Sequence, residues 1–151
     1  MPEKLHVSWE DYGDDVDALV KIISKIKNPH LVTLYRGGLP LGTHLSNILD
    51  LPLSIVDFQS YDGDSKEPVL IKNAGISVDQ TLVIVDDIYD VGTTMNRTKS
   101  MLWKMFPHIK LVGWTLYVNS YNSHLHEKYD QKCNSLHDSK GLWVEFPWEV
   151  V

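Results

Sequence analysis

Two kinds of hydrophobic pattern alternate along the chain. Apolar residues recur at helical spacing between residues 12 and 26, and the preceding segment Ser8-Trp9-Glu10-Asp11 has the S-x-x-D form of a capping box. Similar patterns predict helices at 39–49 and 95–105. Short apolar runs predict strands at 31–35, 53–58, 81–85 and 110–118. Strands and helices therefore follow one another in turn.

This alternation predicts an α/β fold with a mainly parallel central sheet and helices on both faces. In such sheets, ligands bind beyond the carboxyl ends of the strands. The loops expected there carry Arg36, Asp86, Asp87 and Asp90. We therefore expect these side chains to converge at one edge of the sheet.

Two polar stretches interrupt the apolar pattern. Residues 59–73 are rich in Asp, Gly, Ser, Lys and Glu, a composition typical of a mobile loop. Residues 119–140 are also polar, and we expect them to be irregular. Asp14, Asp15 and Asp17 lie in the early turns of the first helix, where the helix dipole favours acids, and we interpret them as a solvated face.

Composition narrows the class of protein. With 151 residues, 43% of them hydrophobic, the chain fits a single domain over residues 1–151. The formal charge of -6 argues against nucleic-acid binding, and no apolar run is long enough for an integral membrane span. Cys133 is the single cysteine, which excludes an internal disulfide and favours the cytoplasm.

The chemistry is concentrated in residues 83–95. An apolar run leads into the acid pair Asp86 and Asp87, followed by Asp90, a small-residue loop and a predicted helix. Backbone N–H groups and the positive end of the helix dipole would make that loop an anion cradle, with a metal or a polyhydroxyl group beside it. The alternative is an ordinary strand-to-helix turn in which Asp and Thr serve as helix caps.

This segment resembles the phosphoribosyl-pyrophosphate signature of type I phosphoribosyltransferases. The resemblance implies the type I phosphoribosyltransferase fold with a small C-terminal hood, at about residues 119–151, and Mg²⁺ as cofactor. It implies that Asp86 and Asp87 hold the ribose hydroxyls, directly or through Mg²⁺, and stabilise positive charge at the reacting carbon. It also makes Asp90 a catalytic acid or base near the purine imidazole, for which helix capping is the alternative. The implied 5-phosphate site consists of Asp90, Val91, Gly92, Thr93 and Thr94.

Two further segments resemble other parts of the family's donor site. Arg36-Gly37-Gly38 resembles the pyrophosphate loop, where glycines let backbone amides approach the leaving group. The segment beginning at Ser60-Tyr61 resembles the flexible catalytic loop, and Lys66 falls near a basic position that contacts pyrophosphate.

The C-terminal segment at 142–149 resembles the end of bacterial xanthine-guanine phosphoribosyltransferases. That match makes Trp143 the residue that stacks on the base and Val144 the one whose backbone reads it, while core packing is the alternative for Trp143. Glu149 takes the position of an acid that assists metal binding. The chain departs from the family pattern at the end of the strand predicted at 110–118. Enzymes that use 6-oxopurines usually have a Lys there that contacts the 6-oxo group. This chain offers Tyr117 instead, and its phenol would form a weaker hydrogen bond with the base than a Lys would.

The sequence thus predicts transfer of a phosphoribosyl group to xanthine, guanine or hypoxanthine in purine salvage, by a homodimer or homotetramer. The alternatives are a different base, pyrimidine or modified, and a non-catalytic regulator that binds phosphoribosyl pyrophosphate or a nucleotide. A zinc site is a further alternative for a polar cluster near the C-terminus, where a solvated hood over the base pocket is the default. Its candidate ligands are His124, His126, Cys133 and His137.

Overall fold

The computed structural model describes residues 3–60, 66–125 and 133–150. Within these ranges, three α-helices and eight β-strands form the fold, with short 3₁₀ helices at Ser120–Leu125 and Pro147–Glu149. In chain order they are β1 Lys4–His6, α1 Trp9–Ile23, β2 Pro29–Leu34, α2 Leu39–Leu49, β3 Leu53–Ser60, β4 Lys66–Lys72, β5 Thr81–Tyr89, α3 Thr93–Met105, β6 Lys110–Val118, β7 Cys133–Asp138 and β8 Trp143–Glu145.

The main sheet has six strands in the order β4-β3-β2-β5-β6-β7. All neighbouring pairs are parallel except β3 and β4, which form an antiparallel hairpin at one edge. The predicted α/β class with a mainly parallel sheet is therefore confirmed. The carboxyl ends of the parallel strands meet at one edge, which is where the candidate site lies.

The central strands are buried on both faces, and alternate residues of β5 serve opposite sides of the sheet. Val83 and Val85 pack into the cluster formed with α1 and α2, whereas Leu82 and Ile84 pack into the cluster formed with α3. All four side chains are inaccessible to solvent. This double burial explains why the run reads as continuously apolar rather than as alternating.

The capping box predicted for the first helix is confirmed. Ser8 Oγ accepts the Asp11 amide at 3.0 Å, and the Asp11 side chain accepts the Ser8 amide. The interpretation of the three early acids as a solvated face is wrong for Asp15, which is buried and bonded to His137. Asp14 and Asp17 are exposed as expected.

Both polar stretches contain a strand that composition did not indicate. Within residues 59–73, β4 pairs with β3 from Lys72 back to Lys66. Within residues 119–140, β7 extends the parallel sheet beside β6. Both are edge strands, so one side of each faces solvent and the apolar signal of a buried strand is weak.

The ends of the chain form a separate two-stranded parallel sheet in which β1 pairs with β8. The aromatic C-terminal segment is thereby held by residues near the amino terminus, some 140 positions away. The predicted hood region is divided, since β7 belongs to the main sheet and β8 to this small one. Its description as part of a single domain stays a prediction. Among the described helices, none combines the length and apolar character needed to cross a bilayer.

Candidate active site

Strand β5 extends beyond its neighbour β2 and carries the acid pair on this extension. It pairs with β2 only as far as Val85, but with β6 as far as Tyr89. Asp86 and Asp87 are thus inside the strand rather than after it. Their carboxylates each accept the amide of the next residue, at 2.9 Å for Asp86 and 2.7 Å for Asp87. These bonds fix the side chains at the edge left open by β2.

The two carboxylates are partly buried and influence each other's ionisation. Burial raises the pKa of Asp86 well above its ordinary value, and the charge of Asp87 raises it further. Burial also raises the pKa of Asp87. Within the described residues, no Lys or Arg pairs with either acid. The site therefore holds concentrated negative potential that a cation or a developing positive charge would stabilise.

The predicted pyrophosphate loop meets this acid pair directly. A methyl group added at Gly37 would lie 2.6 Å from Oδ2 of Asp87, and one added at Gly38 would lie 2.9 Å from the carbonyl oxygen of Val85. Glycine is required here because the loop backbone passes against β5 without room for a side chain. Arg36 is exposed beside the loop, and Gly38 is the N-cap of α2.

The first turn of α3 forms the predicted anion cradle. Its N-cap is Gly92, with a φ of 89°, and no side chain caps the helix. Glycine suits this position doubly, because the left-handed conformation is unfavourable for other residues and the Tyr89 ring fills the space a side chain would need. In α1, by contrast, Ser8 occupies the helix end. The open amides of α3 are available to an external anion.

A cavity of about 310 Å³ is lined by residues 86–95, so the acid pair and the cradle share one space. Val91, Thr93 and Thr94 are exposed around it. Asp90 is held at its rim, where Oδ1 accepts the side-chain amides of Asn119 at 3.1 Å and Asn122 at 2.6 Å. The N-cap of α3 is Gly92 and not Asp90, and the catalytic role of Asp90 stays a prediction.

The predicted base-binding segment lies on strand β8. Trp143 is 59% exposed, which excludes core packing as its role, while the Val144 side chain is buried. Trp143 donates its amide to Glu3, and Glu145 accepts the amide of Val7. Because backbone groups alternate in direction along a strand, those of Val144 face away from β1. The roles of Trp143 in stacking and of Val144 in reading the base stay predictions.

Tyr117 occupies a packed position near the end of β6. Its ring lies 5.0 Å from that of His137 and 5.9 Å from that of Phe146. Burial, then the charges of Asp15 and Asp11, raise the pKa of Tyr117. His137 Nε2 in turn lies 2.7 Å from Oδ1 of Asp15. A histidine considered for zinc therefore joins β7 to α1 instead.

Of the segment predicted to be the flexible catalytic loop, the structure describes Ser60 at the end of β3 and Lys66 at the start of β4. Ser60 pairs with Lys66 across the hairpin. Lys66 is exposed, and its carbonyl accepts Nη1 of Arg97 at 3.0 Å. Tyr61 lies outside the described residues, as does His126.

Glu149 faces the acid pair from the C-terminal 3₁₀ helix. Burial raises its pKa, and the charge of Asp87 raises it further. In the described part of the chain, no three His, Cys, Asp or Glu side chains come close enough to hold one ion together. The part of Glu149 in metal binding stays a prediction.

Comparisons with known proteins identify the family of this chain. Residues 8–150 match the family model described as the phosphoribosyl transferase domain. The chain belongs to this family. The type I phosphoribosyltransferase fold expected from the motif is therefore confirmed.

Among curated relatives, the phosphoribosyl transferase domain is 30% identical over 119 residues to the hypoxanthine-guanine phosphoribosyltransferase of Lactococcus lactis. That match covers 73% of this chain and 65% of the relative, so it spans slightly less than two thirds of the relative's length.

Two solved structures share the fold. The chain aligns with a xanthine-guanine-hypoxanthine phosphoribosyltransferase from Helicobacter pylori at a TM-score of 0.77 and 24% identity. It aligns with a purine phosphoribosyltransferase from Pyrococcus horikoshii at a TM-score of 0.76 and 24% identity. Each alignment covers 99% of this chain and 95% of the other.

Sequence reasoning did not identify four residues that support the site. Asn119 and Asn122 orient Asp90, Asp15 pairs with His137, and Arg97 reaches the β3–β4 hairpin. Each contact joins positions that are 29 to 122 residues apart in the sequence, so no local pattern predicts it. The position of Asn119, directly after a strand that was predicted correctly, was the one available signal.

Proposed function

We propose that this chain transfers the 5-phosphoribosyl group of phosphoribosyl pyrophosphate to a 6-oxopurine, in purine salvage. The products are a nucleoside monophosphate and pyrophosphate. The observation that carries this proposal is the contact between Gly37 and Asp87 beside the open end of α3. It brings a leaving-group loop, an acid pair and a phosphate cradle to one place.

The donor is held by its two charged ends. The open amides at Gly92 to Met95, with the hydroxyls of Thr93 and Thr94, bind the 5-phosphate. Backbone amides of the Gly37-Gly38 loop, together with Arg36 and Lys66, bind the pyrophosphate. Between them, Asp86 and Asp87 face the ribose. Binding at both ends orients the anomeric carbon toward the base.

In the reaction, a base nitrogen bonds to the anomeric carbon while the bond from that carbon to pyrophosphate breaks, and pyrophosphate leaves with the electron pair. Positive charge develops on the ribose, and the carboxylates of Asp86 and Asp87 stabilise it. The proton lost from the base imidazole passes to Asp90. The amides of Asn119 and Asn122 hold Asp90 in the orientation this transfer needs.

The acid pair also fits Mg²⁺, since hard oxygen ligands and concentrated negative charge suit this ion. Mg²⁺ is usually bound by one or two carboxylates, and substrate oxygens and waters complete its coordination. Asp87 and Asp86 would hold the ion, with Glu149 contributing charge from nearby. When bound, Mg²⁺ neutralises part of the charge on pyrophosphate and improves it as a leaving group.

The base stacks on Trp143, and the backbone of Val144 reads its edge. The packing of Tyr117 between His137 and Phe146 favours a second candidate acceptor, because a buried phenol is a poor substitute for a cation near a 6-oxo group. A pyrimidine or modified base is therefore retained as an alternative acceptor.

Pyrophosphate release tests the function. Purified protein is incubated with phosphoribosyl pyrophosphate and Mg²⁺, and with xanthine, guanine, hypoxanthine, adenine or uracil. Turnover with a 6-oxopurine, abolished by chelating Mg²⁺, is the expected result. Turnover with uracil but with none of the purines would support a pyrimidine as the acceptor instead. If the folded protein binds the donor but turns over none of the bases, the proposal that it is an enzyme is overturned and a non-catalytic regulator is favoured.

A further inference from the structure

The end of the β3–β4 hairpin projects beyond the main sheet as a two-stranded ribbon. Strand β3 pairs with β2 only from Leu53 to Val56, whereas it pairs with β4 as far as Ser60. Among the residues that the structure describes, 57–60 and 66–69 therefore have only each other as sheet partners. Isolated two-stranded ribbons are marginally stable, so a further contact is needed to fix the position of this one.

Arg97 supplies such a contact from helix α3. Its Nη1 donates to the carbonyl oxygen of Lys66 at 3.0 Å, and lies 3.9 Å from Oε1 of Glu67. A groove of about 430 Å³ lies between this part of α3 and the Glu67-Pro68 end of β4. Phe58 of the ribbon packs against the apolar cluster that includes Met95 and Leu102 of α3, and the guanidinium adds a polar contact to the opposite strand of the ribbon.

The position of Arg97 along α3 relates this contact to the active site. The helix begins at Thr93 with the open amides of the phosphate cradle, and Arg97 follows within about one turn. Lys66, at the other end of the bond, is the residue assigned to pyrophosphate. One side chain therefore connects the element that binds the 5-phosphate to the element that approaches the leaving group.

We propose that Arg97 is a positioning residue that holds the hairpin ribbon, and with it Lys66, at a fixed distance from the phosphate cradle. Its part in donor binding rests on the proposed function, whereas its effect on the ribbon does not. The Arg97 and Glu67 side chains are 47% and 60% exposed. Exposed ion pairs add little to stability, so removing this one should disturb local geometry far more than folding.

Four variants separate these effects. Arg97→Ala removes the bond, Arg97→Lys keeps the charge with a single donor group, and Glu67→Gln removes only the ion pair. Lys104→Ala is the matched control, because Lys104 is an exposed cation on the same helix that lines the same groove.

Amide hydrogen exchange of substrate-free protein gives a readout independent of activity. Arg97→Ala should speed exchange at Glu67 and Val69 by about tenfold, while exchange in β5 and β6 stays within about twofold. Glu67→Gln should do much less, because the Lys66 carbonyl contact remains. Unchanged exchange in the ribbon would overturn the proposal, as would equally faster exchange throughout the sheet.

Steady-state kinetics then test the consequence for the donor. Arg97→Ala should raise the KM for phosphoribosyl pyrophosphate about tenfold, with the KM for the base within about twofold. Arg97→Lys should recover part of that loss, and Lys104→Ala should match the wild type. A donor KM unchanged in Arg97→Ala would overturn the link to Lys66. Wild type without turnover, but with the expected exchange pattern, would refute the proposed function and leave the anchoring of the ribbon intact.

Discussion

The proposed donor half and the proposed acceptor half of the site are built from different kinds of contact. The donor half is largely one continuous segment, residues 86–95, with the Gly37 loop pressed against it. The acceptor half brings together β8, the end of β6 and the 3₁₀ helix that follows it, with β1 and α1 behind them. Local chemistry determines the first, and long-range packing determines the second.

This difference predicts how each half responds to mutation. In the donor half, single substitutions should greatly reduce turnover but have small or favourable effects on the stability of the fold. The reason is that the two like-charged acids repel each other and are kept together for function. In the acceptor half, effects should be smaller and divided between base affinity and stability. Five substitutions test the contrast, from the largest expected effect to the smallest.

Asp86→Asn should lower turnover by roughly 10²–10³ while stabilising the metal-free protein. The pKa of Asp86 is raised by burial and by Asp87, so the folded wild type binds this proton more tightly than the unfolded chain. Protonated Asp86 therefore stabilises the folded wild type. This contribution is complete below the pKa of Asp86 in the unfolded chain, about 3.9, and is lost as the pH rises through the raised pKa of Asp86 in the folded protein. The melting temperature of the variant relative to wild type should therefore increase with pH.

Thermal unfolding between pH 4 and pH 8, without Mg²⁺, measures this trend. Asp57→Asn is the control, because Asp57 also accepts the amide of the next residue but lies outside the acid pair. Parallel pH profiles for wild type and Asp86→Asn would contradict the view that repulsion between the two acids is maintained for function.

Asp90→Asn should lower kcat by about 10² or more with the KM for phosphoribosyl pyrophosphate little changed, because it removes proton transfer and retains the hydrogen-bonding shape. Asn122→Ala should lower kcat by about tenfold, since one orienting amide remains on Asn119. Single-turnover kinetics at saturating donor distinguish the two. Full activity in Asp90→Asn would remove Asp90 from the acid–base assignment.

Trp143→Ala should raise the KM for the base about tenfold and leave the donor KM unchanged, because the ring contributes a stacking surface and little packing. Trp103→Ala is a matched control, since both tryptophans are 59% exposed. Equal base KM values in the two variants would show that Trp143 does not contact the acceptor.

Asp15→Asn should reduce the free energy of unfolding by about 1 kcal/mol, because a buried carboxylate that accepts a bond from His137 becomes a neutral amide. Asp14→Asn, one residue earlier and exposed, should change it by less than about 0.5 kcal/mol. Urea denaturation measures both. Indistinguishable curves for the two variants would show that the bond between Asp15 and His137 contributes no stability.

Elements with strong local signals were predicted well. Helix α2 and strand β6 have the expected limits, and α1 begins at the expected capping box. Strands β1, β4, β7 and β8 were missed, because an edge strand is defined by the partner it pairs with and not by its own composition. The roles of Arg97 and of the two asparagines that hold Asp90 were missed for a similar reason, because they depend on partners distant in the sequence.

The sequence by itself determined the α/β class and the family, and it predicted the chemistry of the proposed donor half. It could do so because the acids, the glycine turn and the helix start follow one another along ten residues, where backbone geometry depends on near neighbours. Only the tertiary structure decided that Gly37 lies against Asp87, that Asp15 is buried and that Trp143 is exposed beside a buried Val144. Those outcomes depend on which distant strands and helices pack together, and that is settled by the burial of the whole core.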